Sequence, residues 1–208
     1  MKKTFLLFIL ALCSIALFAQ NLNWLWAKQA GGISGDKGYS IAVDAYGNSY
    51  ITGYFRESAT FGTTTLTSSS DYGSDIFVAK MDINGNWLWA KQAMGTYSNY
   101  GNDIAVDANG NSYVTGYFWG NATFGTTTLT SSGQYDIFVA KMDSNGNWLW
   151  AKQAGGTSYD DGYSIAVDDN GNSYVTGYFK SNATFGTTTL TSGGIYDIFV
   201  AKIGRAHV

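Results

Sequence analysis

"SIAVDAYGNSYITGYF" over residues 40–55, "DIAVDANGNSYVTGYF" over 103–118 and "SIAVDDNGNSYVTGYF" over 164–179 are one motif written three times. Each opens on a short run in which apolar side chains alternate, so Ile104 and Val106 are expected on one face and Ala105 on the other. A turn ending in Gly-Asn follows, supplying the positive φ angles that tight hairpins need. The second run is rich in Tyr, Val, Thr and Phe, the residues that suit a pleated surface. The motif is a β-hairpin. Its recurrence on a fixed period marks a repeat architecture.

The period follows from equivalent residues. Trp24, Trp87 and Trp148 are spaced by 63 and 61 residues, as are Asp44, Asp107 and Asp168. Two more strand signals complete each period, "DIFVAKMD" from Asp136 and "NWLWAKQA" from Asn147, joined by a second tight turn at Asn145-Gly146. Between the hairpin and the third strand lies "NATFGTTTLTSSG" (121–133), expected to form a small ribbon of its own. No segment carries a helical period, and the chain has no proline.

Four antiparallel strands per period of about 60 residues suit a propeller blade with one long loop. A β-solenoid is the rival, but its coils are usually shorter and parallel. The expected fold is therefore all-β, with about three four-stranded antiparallel blades covering about 36–92, 98–153 and 159–202. Small residues such as Ala105, Ala140 and Ala151 should let the sheets stack. Trp148 and Trp150, two apart, are expected to share a strand face and wedge against the next blade. Gly116, inside a strand, should mark a bulge or a close backbone approach.

The phase of the repeats points to an incomplete ring. Residues 23–30 read as a lone outer strand, and the last repeat stops after its third strand. Three blades fall short of the four to eight that close a propeller, so missing blades of the same chain are expected to complete it. The first 20 residues read as a signal peptide: Lys2 and Lys3, an apolar stretch from Phe5 to Phe18, then Ala19. That stretch is too short to span a bilayer, so a secreted or cell-surface location is expected, with no membrane span. At the other end "IGRAHV" (203–208) breaks the repeat and resembles a translated adapter sequence, so a non-native tail is expected there.

Removing the leader removes Lys2, Lys3 and the only cysteine, leaving 10 basic against 15 acidic residues, a net charge of −5. That balance gives no footprint for nucleic acid. No disulfide can form, and the aromatic share of 16% must supply the packing. The only histidine, His207, lies in the suspect tail, which leaves no Ser-His-Asp or His-metal constellation in the repeats.

The stretch "GYSIAVDAYGNSYITGYF" (38–55), with "TFGTTTLTS" (60–68) and "DIFVAKMDINGNWLWAKQAMG" (75–95), resembles the SBBP repeat, a seven-bladed β-propeller repeat of exported bacterial proteins. The resemblance covers residues 23–202 three times over. It implies a secreted or surface propeller and brings no catalytic motif.

The residues themselves offer two candidate chemistries. "DANGN" places Asp107, Asn109 and Asn111 at positions 1, 3 and 5 of a calcium-like loop, and Asp143, Asn145 and Asn147 repeat the spacing. A calcium loop would continue with glycine at position 6 and an acid at position 12; both are missing here, so hairpin turns are expected. Aspartates that recur from blade to blade (Asp44 and Asp75 with equivalents in both later blades, Asp82 with one at Asp143) should bond turn amides. An Asp-dependent carbohydrate-active enzyme is the minority reading; the expectation is no enzyme, no catalytic residue and no cofactor.

The second chemistry is recognition. The three copies differ chiefly in two loops, at 32–38, 95–102 and 156–162, and again at 56–58, 119–121 and 180–182. In an up-and-down blade both loops lie on one face, where binding usually sits. Arg56, Tyr97, Tyr100, Trp119, Tyr159, Asp160, Asp161 and Lys180 are the candidate binding residues, with a glycan, a peptide or a surface protein as partner. A purely structural spacer is the alternative.

Overall fold

A computed structural model describes residues 22–70 and 73–204; the expected leader, and most of the expected tail with His207, lie outside the described residues. Among the described residues all regular structure is β. The first blade is built from β1 (Lys37–Val43), β2 (Ser49–Phe55), β5 (Asp75–Met81) and β6 (Trp87–Gly95), with β3 (Ser58–Phe61) and β4 (Thr64–Thr67) as a ribbon between β2 and β5. The second repeats this with β7 (Tyr100–Val106), β8 (Ser112–Phe118), the ribbon β9 (Asn121–Phe124) and β10 (Thr127–Thr130), β11 (Asp136–Met142) and β12 (Trp148–Ala154). The third has β13 (Asp161–Val167), β14 (Ser173–Phe179), the ribbon β15 (Asn182–Phe185) and β16 (Thr188–Thr191), and β17 (Asp197–Ile203). Neighbouring strands pair antiparallel, and the three blades form an open arc of β-propeller type.

The ribbon does something its sequence does not announce. Instead of staying with its own blade, β9 pairs with the end of β6 in the preceding blade, through Met94 to Thr123 and Gly95 to Ala122. Bridges from Gly31 to Thr60 and from Gly155 to Thr184 place the other two ribbons alike. Each ribbon is thus a clip across a joint, and it carries Phe124 (1% exposed) into the core between blades one and two.

The tryptophan expectation needs correcting. Trp148 and Trp150 do not share a face: Trp148 packs in the core between blades one and two, and Trp150 in the core between two and three. The cause is a β-bulge. Adjacent residues Met142 and Lys141 pair with Trp148 and Trp150, so Leu149 is an extra residue and the two-residue alternation is broken across it. Trp87 and Trp89 behave identically about Leu88. One bulge per outer strand lets a single strand grip both neighbours.

The joints repeat a small set of contacts. The Tyr50 hydroxyl donates to Gly110 O of the next inner turn (3.1 Å) and Tyr113 to Gly171 O (3.3 Å). Trp89 Nε1 reaches Ser144 O of the next outer turn at 3.3 Å. Asp103 on β7 accepts hydroxyl bonds from Ser40 on β1 and Ser164 on β13, tying the three inner strands together. Gly162 is required by contact, since a Cβ there would lie 2.4 Å from Thr115 Oγ1 of blade two. The approach expected at Gly116 is also present: its Cβ would fall 1.9 Å from Tyr100 O.

Residues 22–30 form no strand, and Trp24 is 97% exposed. Trp26 nevertheless donates Nε1 to Ile83 O at 3.2 Å, the bond its equivalent Trp89 makes one blade later. The segment lies where an outer strand would lie, and among the described residues it pairs with no third strand.

Candidate binding face

The two variable loops of each repeat are fastened to each other by one side chain. Asp36 Oδ1 accepts Arg56 N (3.2 Å), Asn99 Oδ1 accepts Trp119 N (3.2 Å) and Asp160 Oδ1 accepts Lys180 N (3.0 Å). Both loops therefore lie on the same face of the arc. The invariant turns lie on the other.

That second face is chemically occupied. Asp107 Oδ1 accepts Asn109 N and Asn111 N, each at 2.9 Å, while Oδ2 takes Asn111 Nδ2 at 2.8 Å and Tyr113 OH at 3.2 Å. Asp143 is held by Asn145 N, Asn147 N and Asn147 Nδ2. Positive φ falls on Gly110 (76°) and Gly146 (83°), as tight turns require. The calcium-like spacing is a self-bonded Asx turn. Burial acts to raise the Asp107 pKa, but the donors from Asn111, Asn109 and Tyr113 outweigh it and hold the carboxyl below its ordinary range.

The loop face carries a continuous run of aromatic rings. Tyr97 stacks on Trp119 (centroids 4.4 Å, 26°), Trp119 meets Tyr135 edge-on (6.2 Å), and Tyr135 contacts both Tyr117 (4.7 Å) and Tyr159 (5.1 Å). From Tyr117 the run continues through Tyr100 (5.0 Å) to Tyr54 (4.5 Å) and Tyr39. Lys180 Nζ lies over Tyr159 (5.9 Å) and Tyr196 (6.0 Å), joining a further set of Tyr196, Tyr178 and Tyr163. The ends of the run are exposed: the Tyr97–Trp119 pair is 47% and 41% accessible, and Tyr39 at the other end is 47% accessible. Offset stacking of this kind holds both rings in a fixed orientation.

The candidate residues divide on this face. Tyr97, Trp119, Tyr100 and Tyr159 belong to the run, and Lys180 bridges it. Arg56 is exposed, with its guanidinium 6.0 Å from the Tyr54 centroid and Nε bonded to Ser74 Oγ. Asp160 is fully buried and accepts one loop amide on each oxygen, Gly156 N on Oδ2 and Lys180 N on Oδ1. Asp161, 6% exposed, accepts Asn102 Nδ2 at 2.7 Å; burial raises its pKa to about 7 against that bond. Tyr39, Tyr117, Tyr135 and Tyr196 were not singled out in the sequence. Tyr135 and Tyr196 come from a third loop, before strands β11 and β17, where the shared Tyr-Asp pair was the available signal.

The β-propeller repeat family SBBP matches residues 25–54, 88–121 and 149–182, one match per repeat. These are SBBP β-propeller repeats. Each match runs from the outer Trp strand through the inner hairpin, so the family's unit straddles a blade joint. An uncharacterized WD repeat-containing protein of Acanthamoeba polyphaga mimivirus is 26% identical over 85% of this chain and 15% of its own length. The regulatory protein FlaEY of Caulobacter vibrioides is 30% identical over 58% of this chain and 13% of its own. The chain therefore spans less than a sixth of these relatives. A Bacteroides caccae protein of unknown function, solved by crystallography, aligns with a TM-score of 0.32 at 13% identity, covering 68% of this chain and 53% of that one.

Proposed function

We propose that the SBBP repeats form an exported recognition scaffold that binds its partner through the loop face. The observation that carries this is the unbroken aromatic run, ending in the exposed Tyr97–Trp119 stack on a rigid β framework. Rings fixed by stacking lose little entropy on binding, and their faces suit both sugar CH surfaces and protein side chains. The WD-repeat relative supports a protein partner, and the stacked platform supports a glycan; both readings use the same rings. The role is binding rather than catalysis: the repeated acids Asp75, Asp136 and Asp197 take bonds from loop amides of Ser69, Ser132 and Gly193.

The test is a glycan-array and surface-protein screen of the purified chain, repeated with Trp119→Ala. Loss of this stacked ring should weaken binding about tenfold or more, within the ~1–3 kcal/mol range of a stacked aromatic contact. Unchanged affinity in that variant removes the stack from the site.

A further inference from the structure

At the joint between blades two and three, two carboxyls face each other in the interior. Asp136, at the start of β11, and Asp160, just before β13, are both 0% exposed. Asp136 Oδ2 accepts Ser132 N at 3.0 Å, but Oδ1 is buried with no donor at all. Gly155 lies between the two acids. A methyl built on it would fall 2.9 Å from Asp136 Oδ1 and 3.0 Å from Asp160 Oδ2, so both oxygens border one gap that glycine keeps open.

The preceding joint is built differently at the same positions. There Asp75 replaces Asp136, and Asn99 replaces Asp160. Gly95 N donates to Asp75 Oδ1 at 2.9 Å, and Ser69 supplies its amide and hydroxyl to Oδ2 at 2.8 and 3.1 Å. In the later joint the equivalent amide, Gly156 N, donates to Asp160 Oδ2 (2.7 Å) and no longer reaches the β11 carboxylate. From one joint to the next the carboxylate loses a donor and gains a like-charged neighbour. No ammonium replaces them: Lys180 Nζ lies over the Tyr159 and Tyr196 rings, and the ion pair among the described residues is Lys141–Asp107. Two buried carboxylates without a counter-charge are strongly unfavourable.

We propose that this gap is a cation site for a divalent ion of oxygen-ligand chemistry, Ca²⁺ foremost, held between Asp136 Oδ1 and Asp160 Oδ2. The Ser132 hydroxyl lies beside the same carboxyl, and carbonyls or water supply the remaining ligands that such an ion requires. The ion cross-links the start of β11 to the loop entering β13, with Tyr135 and Tyr159 the residues next in chain to its two ligands. The sequence marks the site type. "AGGTSYD" (154–160) recurs as "AGGISGD" (30–36), while the middle joint reads "AMGTYSN" (93–99). In the first of these Gly31 N bonds a ribbon carbonyl, Thr60 O, at 3.2 Å, and Asp36 Oδ2 again lies 2.9 Å from the would-be methyl.

Thermal melts of the protein in chelator and in Ca²⁺ test the site, alongside Asp160→Asn, which installs the Asn99 type of joint. At a hundredfold excess over the dissociation constant, Ca²⁺ should raise the melting temperature of the wild type by about 5–10 °C. Asp160→Asn should melt at least as high as wild type in chelator and ignore Ca²⁺. Tb³⁺ luminescence excited through Tyr135 and Tyr159 should appear in wild type, be displaced by Ca²⁺, and be lost in Asp160→Asn. If Asp160→Asn does not fold, Asp136→Asn serves for the luminescence arm. An equal Ca²⁺ shift in wild type and variant overturns the assignment. So does a wild type indifferent to Ca²⁺ whose stability falls as pH rises, because the carboxyls then share a proton instead.

Discussion

Asp107 shows how much one residue holds in this repeat. It accepts four hydrogen bonds within its own turn and a 3.7 Å ion pair from Lys141, whose ammonium also lies 4.6 Å from the Tyr113 ring. Tyr113 in turn bonds the next blade, so the turn and the joint share one carboxylate. Asp107→Ala should destabilise the protein by about 2 kcal/mol in urea melts, the loss of several charge-assisted bonds at a partly buried site. The pH effect has a definite sign. The folded-state pKa is depressed, so this stabilisation is present above the ordinary Asp value and is lost as pH falls through the folded value. Acid unfolding should therefore depend on Asp107, and Asp107→Asn should flatten the stability profile below about pH 4. This residue's role was legible in sequence, because Asp-x-Asn-Gly-Asn is local turn chemistry. Asp160 was not: read as a surface candidate in a variable loop, it is buried because it fastens that loop to the next one, a contact between residues 20 apart.

At the scale of elements, the strands were legible and their joints were not. Alternation fixes a strand's two faces only while the register is unbroken. The bulge at Leu149 breaks it and sends Trp148 and Trp150 to different cores, and nothing in "NWLWAKQA" announces a bulge. The ribbon was read correctly as an element, but its attachment to the preceding blade is a long-range pairing with no local signal. That attachment makes a graded prediction. Phe124 is 1% exposed and packs on Phe138 (5.0 Å) and Trp148 (5.1 Å), whereas its equivalent Phe185 has one aromatic partner, Phe199 (4.8 Å), and is half-buried. Phe124→Ala should cost about 3–5 kcal/mol, the usual range for emptying a filled core position, and Phe185→Ala well under half of that. Equilibrium unfolding of the two variants measures the difference, and equal losses would mean that the ribbon clip does not carry the joint.

For the whole molecule, stability is a sum over blades and joints, and the blades are not equally covered. Ile76 and Val78 on β5 are wholly buried under β6 and the next blade, while the equivalent Ile198 and Val200 on β17 are 80% and 77% exposed. Beside β17 lies a groove of about 390 Å³ lined by Phe185, Gly186, Phe199 and Ala201. In blade two the corresponding place is taken by a tryptophan: a methyl on Gly125 would meet Trp148 at 3.1 Å, whereas one on Gly186 meets nothing within 4 Å. An unpaired apolar edge of this kind recruits other strands. The 208-residue chain should therefore associate with rising concentration, and Val200→Lys should suppress this in sedimentation velocity. A synthetic peptide of the β12 sequence, residues 147–154, should act in the same direction by adding as a fourth strand and seating its tryptophan on Phe185. It should also raise the melting temperature, which the lysine variant should not. A chain that stays monomeric at all concentrations, with no shift from the peptide, would show that β17 is not a receptive edge.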